Sequence, residues 1–386
     1  QEQFQAQQRD NFGDYIMFVP NDQYLSYYQY KDICSYSKFD LIKPGYGENR
    51  AIYDETYYHF YDESFKAISW KEPTETIDNL YKLRAQELRD KYSKLALEVC
   101  NIDGFNTLVS FLKHNIKVDE VFFYYSSPDD ISQYSKELEV SIYPKIKELQ
   151  NHFNFFFRGI ECSEYYKEKM WDDTTKTLLP WLENGPWTGN SLIHKHLLEL
   201  VPEYDINGLG VIYSNGKPFV FPKENAFRFC DILNPIDFMK DYCKYDSEDF
   251  YWYPGSKIVV KQAHMVKQWA DKHKNYMNML PTVDQIDEEY VPLRLTNRVI
   301  YPDIKENMFP YNAMSIRSKY DIRARCSYSQ LFASPQSWLH WHGHSIANEI
   351  TNNMKYLQKT VHKSWMKTYD IYDGLKPVWS RLYILE

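Results

Sequence analysis

The sequence predicts an α/β protein built around a parallel sheet, because short buried-type strands alternate with amphipathic helices over residues 70–165. Residues 1–69 are aromatic and show no clear period, so we expect an irregular N-terminal segment. Residues 166–386 have a mixed pattern, and we expect an α+β region that completes the core. The chain of 386 residues is 44% hydrophobic and 25% charged, which excludes a disordered protein.

The first predicted element is a helix that follows the turn signal at residues 71–74. Its buried face consists of side chains at helical spacing, namely Ile77, Leu80, Tyr81, Arg84 and Leu88. The helical pattern ends near Tyr92, and the apolar run over residues 95–99 predicts the first strand.

A loop over residues 100–104 follows this strand, and helical spacing resumes from Phe105. Asp103 precedes that helix and is a good N-cap residue, so we expect it to cap the helix. Ligands of open parallel sheets bind beyond the carboxyl ends of the strands. The loop therefore occupies the position where a ligand site is expected.

Two more strands are predicted over residues 120–125 and 153–157, with a helix around residues 138–149 between them. Strands separated by helices of this length are typical of βαβ units, in which neighbouring strands run parallel.

The second half of the chain is less regular. The runs at residues 208–213 and 218–221 flank an Asn-Gly pair and predict a β-hairpin. The apolar residues 258–260 lead into an amphipathic helix over residues 261–269, and a last helix is expected over residues 346–363.

Two blocks of this sequence resemble a known group of proteins. The segment WKEPTETIDNLYKLRAQELRDKY at residues 70–92, with the strand, loop and helix that follow it to residue 120, is similar to phage-encoded proteins of the PP-loop ATP pyrophosphatase superfamily, related to PAPS reductases and asparagine synthases. The likeness returns at residues 250–264 and, more weakly, at residues 298–302. The resemblance implies a HUP-type parallel sheet, other phage proteins as partners, and a place in the virion or the host cytoplasm.

The loop of this chain departs from the superfamily pattern. There the first strand ends in Ser-Gly-Gly-x-Asp-Ser, whose glycines let backbone N–H groups close around the pyrophosphate of ATP. The aligned residues here are Val99, Cys100, Asn101, Ile102, Asp103 and Gly104. Only Asp103 is kept, and side chains at positions 100 and 101 obstruct the close approach that glycine permits. We interpret Val99, Cys100, Asn101, Asp103 and Gly104 as the remnant of a nucleotide site, and we expect no cofactor.

Three histidines form the pattern most like a metal site. His340, His342 and His344 alternate, so on a strand they would face one way and bind Zn²⁺ or Fe²⁺. No paired acidic ligand is close in sequence, and packed, hydrogen-bonded histidines are the simpler interpretation.

A basic stretch lies in the C-terminal region. Arg317, Lys319, Arg323 and Arg325 are interleaved with tyrosines, a pattern that suits contact with nucleic acid or an acidic partner. A solvated or salt-bridged face explains the same residues.

Composition limits the remaining classes of protein. No apolar run approaches the ~20 residues of a membrane-spanning helix, so we expect no membrane association. The polar N-terminus has no apolar signal core, so secretion by a signal peptide is not expected. The six cysteines include no Cys-x-x-Cys pair, and a disulfide framework is not indicated.

The leading hypothesis is a catalytically degenerate phage protein that acts as a structural or binding component of a virion or protein complex. One alternative is an active, AMP-forming enzyme that uses ATP and Mg²⁺ through a variant loop. A second alternative is a metal-dependent enzyme that uses the His340–His344 cluster.

Overall fold

The computed structural model describes residues 26–30, 33–35, 56–60, 67, 69–99, 101–125, 142–161, 205–214, 217–229, 245–253, 255–274, 299–304 and 379–386. The helices in these ranges are α1 (Ile77–Lys91), α2 (Ile102–Lys113), α3 (Tyr143–Gln150) and α4 (Lys257–Lys272). The strands are β1 (Ser26–Tyr30), β2 (Ile33–Ser35), β3 (Thr56–Phe60), β4 (Ser69–Trp70), β5 (Lys94–Glu98), β6 (Glu120–Tyr125), β7 (Phe156–Glu161), β8 (Leu209–Tyr213), β9 (Phe219–Phe221), β10 (Ala226–Arg228), β11 (Asp246–Asp249) and β12 (Tyr383–Leu385).

The core is a five-stranded sheet in the order β11-β8-β5-β6-β7, and every neighbouring pair is parallel. The chain starts at β5, moves outward through β6 and β7, and returns to the other side of β5 with β8 and β11. The direction of winding therefore reverses between β5 and β8, the position where open parallel sheets bind their ligands. The α/β class and the parallel sheet predicted from the sequence are confirmed.

The first predicted helix and strand form where local signals place them. Thr76 caps α1, because its side-chain hydroxyl accepts a hydrogen bond of 3.2 Å from the Asn79 N–H. The predicted buried face is the observed one, including Arg84, of which 1% is exposed. Strand β5 begins one residue earlier than expected, at Lys94.

The predicted hairpin over residues 208–221 is wrong. All five residues of β8 are buried, and β8 pairs in parallel with β5 and β11. Strand β9 instead pairs with β10 in a second sheet. A continuous apolar run suits a central parallel strand that is covered on both faces, whereas a hairpin strand usually keeps one face in water.

Two other boundaries differ from the prediction. Strand β7 begins at Phe156 instead of residue 153, because the Phe153 N–H closes the turn after α3 by bonding to the Leu149 carbonyl. Helix α4 begins at Lys257 and includes the apolar residues 258–260. The last predicted helix, residues 346–363, lies outside the described residues.

The second sheet has the order β4-β12-β10-β9 and contains the C-terminal strand. Strand β12 lies between β4, to which it is parallel, and β10, to which it is antiparallel. Its Tyr383 ring stacks on Phe227 with the ring centroids 5.2 Å apart. The adjacent Phe229 ring stacks on Trp252 at 4.0 Å, which joins this sheet to the segment that follows β11.

A third sheet, β2-β1-β3, is antiparallel and also contacts Trp252. The Tyr58 N–H donates a 2.8 Å hydrogen bond to the Trp379 carbonyl, and the Tyr58 ring lies edge-on to Trp252. Residues early and late in the sequence therefore pack together on the segment that follows β11.

Candidate functional site

The loop between β5 and α2 lies at the point where the winding of the sheet reverses. Val99 is fully buried, and its N–H extends the strand by donating to the Phe122 carbonyl at 2.9 Å. Asn101 caps α2, because its side-chain oxygen accepts a 2.9 Å hydrogen bond from the Gly104 N–H. The prediction that Asp103 caps a helix starting near Phe105 is therefore wrong. The helix starts a turn earlier because the extended backbone of Asn101 places its amide oxygen over the first turn.

Gly104 lies where α2 and β5 almost touch. A Cβ atom at this position would lie 2.6 Å from the Glu98 carbonyl oxygen and 2.9 Å from the Val99 Cα, both backbone atoms. The serine of the superfamily pattern would not fit here unless the helix moved away from the strand. The close packing of α2 against β5 therefore explains why position 104 is a glycine.

Asp103 points into the protein and forms an ion pair. Its Oδ1 atom accepts hydrogen bonds from the Lys217 ammonium at 2.6 Å and from the Tyr301 hydroxyl at 2.5 Å. Only 8% of Asp103 and 7% of Lys217 are exposed. Lys217 precedes β9 and Tyr301 belongs to the segment 299–304, so three parts of the chain meet at this carboxylate.

A buried hydroxyl and amide network continues from Asp103 along α2. The Tyr251 hydroxyl donates to the Asp103 backbone oxygen at 2.8 Å and accepts from the Asn106 side chain at 2.9 Å. The Thr107 hydroxyl donates to Tyr251 at 3.3 Å and contacts the Ser214 hydroxyl at 2.8 Å. Ser214 directly follows β8, so the network spans the carboxyl ends of both central strands.

These polar residues form one stripe on α2 that the sequence reasoning missed. Asp103, Asn106, Thr107 and Ser110 have the spacing i, i+3, i+4 and i+7, and all four are buried. Helical spacing of apolar residues identified only the opposite face. The helical spacing of these polar residues could have revealed the second face. A polar stripe beside an apolar stripe indicates a helix that is buried on both faces.

Tyr301 remains a hydrogen-bond donor to Asp103. Burial, and then the negative charge of Asp103, raise the pKa of Tyr301 well above that of a free tyrosine. The hydroxyl therefore keeps its proton at neutral pH. A second phenol supports the same segment, since the Tyr81 hydroxyl donates to the Ile300 carbonyl at 2.8 Å and accepts from Gln262.

An ion-pair cluster at β11 holds Tyr251 in place. Arg84 of α1 donates to the Glu248 carboxylate at 2.7 Å and to the Asp249 carbonyl at 3.0 Å. The Asp249 carboxylate in turn accepts hydrogen bonds from the backbone N–H groups of Tyr251 and Trp252. Burial acts to raise the pKa of Glu248. The charge of Arg84 and hydrogen bonds from neighbouring side chains outweigh this effect, so the pKa is lowered to about 2.

Among the described residues of the loop, the side chains of Asn101 and Asp103 are not free to hold Mg²⁺ with ATP. A magnesium site needs free carboxylate oxygens and room for water or phosphate ligands. Asp103 Oδ1 already accepts two hydrogen bonds, and the Lys217 ammonium at 2.6 Å would repel a second cation. The Asn101 amide oxygen is likewise used to cap α2.

Several predicted site residues lie outside the described part of the chain. These are Cys100 of the loop, His340, His342 and His344 of the histidine cluster, and Arg317, Lys319, Arg323 and Arg325 of the basic stretch. Among the residues that the structure describes, no group of three or more histidine, cysteine or acidic side chains is arranged to hold a metal ion. Over the same ranges no helix has the length and apolar character needed to cross a bilayer.

No protein-family model, no curated protein and no solved structure matches this chain.

Proposed function

We propose that this protein is a catalytically degenerate member of the PP-loop ATP pyrophosphatase superfamily, retained as a structural or binding component of a phage particle or phage protein complex. One observation carries the proposal. Asp103, the single loop residue that keeps the superfamily's identity, is buried and paired with Lys217 and Tyr301. A carboxylate whose charge is already neutralised inside the protein has lost its part in binding a nucleotide and its metal.

The sheet supports a common scaffold with that superfamily. With the strands renumbered in chain order, the sheet order is 3-2-1-4-5, and it changes direction beside the loop 99–104. This order is compatible with a nucleotide-binding sheet, while Asp103 and Lys217 at the point of reversal pair with each other. This combination favours a retained scaffold with an altered role.

The runner-up is an active enzyme that uses ATP and forms AMP. The position of Lys217 favours it, because a cation beside the N-terminus of α2 is an arrangement that attracts phosphate. In that case Asp103 would hold Lys217 in position for the phosphates, and nucleotide binding would depend on both residues.

Thermal melting with ATP and Mg²⁺ separates the two proposals. A ligand that binds only the folded state at 100 times its Kd adds about 2.7 kcal/mol of stability, which a melting curve detects. We expect no shift with millimolar ATP. A clear shift that disappears in Asp103→Ala, but persists in the control Asp78→Ala, would support the enzyme. Asp78 is a suitable control because it also pairs with a lysine, Lys113, at 2.7 Å, but on the surface.

The partner proposal is tested separately by mass spectrometry of purified phage particles. A virion component should be present in stoichiometric amounts after the particles are washed in high salt. Detection in infected-cell lysate but not in particles would move the proposal to an intracellular phage complex.

A further inference from the structure

We propose that the side chains of Lys217 and Asp103 condense into an amide bond, which covalently joins the segment before β9 to helix α2. This goes beyond the proposed function, because neither a structural component nor an ATP-dependent enzyme requires such a cross-link. The two residues are 114 positions apart in sequence, so the bond would close a long loop across the centre of the fold.

The geometry places the reacting groups in contact. The Lys217 nitrogen lies 2.6 Å from Asp103 Oδ1, and more than nine-tenths of each residue is buried. Groups held in contact in one orientation react as if at very high concentration, since no entropy is lost in bringing them together. Burial also excludes the water that would hydrolyse the product amide.

The reaction balances without an outside reagent. A proton passes from the Lys217 ammonium to the Asp103 carboxylate, and the nitrogen lone pair then attacks the Cγ atom. The new C–N bond forms as one C–O bond breaks, and the oxygen leaves as water with the acid proton and one proton from nitrogen. The Tyr301 hydroxyl donates to Oδ1 at 2.5 Å, and this hydrogen bond assists the departure of the protonated Oδ1 as water.

A second lysine–aspartate pair in the same protein is a natural control. Lys113 and Asp78 are 2.7 Å apart, but 39% and 40% of their side chains are exposed. Water solvates both charges, so neither the neutral forms nor the loss of water is favoured at that pair. Distance is matched between the pairs and burial differs, although Lys113 also pairs with Asp303 and Asp78 also contacts His114.

The test is the intact mass of the purified full-length chain under denaturing conditions. An amide bond removes one water, so the mass should be about 18 Da below that of the sequence. Lys217→Arg keeps the charge but should restore the full sequence mass. Asp103→Asn should lose about 17 Da, because ammonia leaves from the amide in place of water.

A competing loss of water must be separated, because Asp103 is followed by Gly104 and such a pair can cyclise to a succinimide. Hydroxylamine opens a succinimide and leaves an amide intact. Protease digestion should yield a branched peptide that joins the regions around residues 103 and 217, resistant to hydroxylamine. An intact mass equal to that of the sequence overturns the proposal, as does a loss that hydroxylamine reverses or a branched peptide at Lys113. A negative result leaves the proposed function unchanged, since that is tested by nucleotide binding and particle composition.

Discussion

In a chain that carries no amide cross-link, replacing Lys217 by methionine removes the cation that faces the Asp103 carboxylate and keeps most of the apolar stem. Only 11% of the Asp103 side chain is exposed, so water cannot solvate the carboxylate that remains. Breaking a buried ion pair by removing one partner costs about 3–5 kcal/mol. That is a large part of the ~5–15 kcal/mol by which a folded domain is stable.

The expected result is a melting temperature lower by roughly 10 °C, because each kcal/mol corresponds to about 2–4 °C in a domain of 150–250 residues. Lys113→Met is the matched control. Its lysine forms ion pairs with Asp78 and Asp303 on the surface, and exposed pairs contribute about 0–1 kcal/mol. The double variant Lys217→Met/Asp103→Leu should be more stable than Lys217→Met, because it leaves no buried charge without a partner.

Urea unfolding of these variants gives the free energies directly. If Lys217→Met is as stable as the wild type, or if the double variant is no more stable than the single one, the ion pair does not stabilise the fold. A lysine whose removal has no cost is typical of a functional site, where activity rather than stability maintains the residue. That result would favour the ATP-dependent enzyme.

Three further changes test other parts of the fold. Gly104→Ala should cost about 1–3 kcal/mol in urea unfolding, because its Cβ would lie 2.6 Å from the Glu98 carbonyl oxygen. Glu248 has a pKa of about 2 in the folded protein, below its ordinary value of 4.5, so its ionised form stabilises the fold above pH 4.5. This contribution, about 3 kcal/mol, is lost as the pH falls from 4.5 towards 2. Glu248→Gln should therefore be less stable than the wild type at pH 7 in urea titrations, and the difference should shrink at pH 3. Tyr383→Ala should cost about 3 kcal/mol or more in thermal melting, because only 1% of this residue in β12 is exposed.

Local patterns predicted the elements whose neighbours in space are also neighbours in sequence. The spacing of Ile77, Leu80 and Leu88 was sufficient for α1, since one apolar stripe and a Thr76 cap define a helix without reference to the rest of the chain. The run at residues 120–125 was likewise enough for β6. The start of α2 could not be predicted from the sequence, because both Asn101 and Asp103 are good N-cap residues. The close contact of Gly104 with β5 leaves no pattern in the sequence.

The candidate site depends on contacts that no local pattern contains. The sequence reasoning directed attention to residues 99–104 and to Asp103, because a strand followed by a loop and a helix marks the ligand edge of a parallel sheet. Residues 99–104 themselves contain no lysine or arginine. The cation is supplied by Lys217, 114 residues away, and the phenol by Tyr301, 198 residues away.

By itself, then, the sequence determined the α/β class, the alternation of strands and helices, and the side chains that occupy positions 100 and 101 of the loop, because these follow from periodicity and residue type. Only the tertiary structure decided that β8 is a central parallel strand and that Asp103 is neutralised. Strand pairing and ion pairing join residues far apart in the chain, and they depend on which surfaces the whole chain can bury together. The buried Lys217–Asp103 pair exists because folding brings β9, α2 and residues 299–304 to one point at the edge of the sheet.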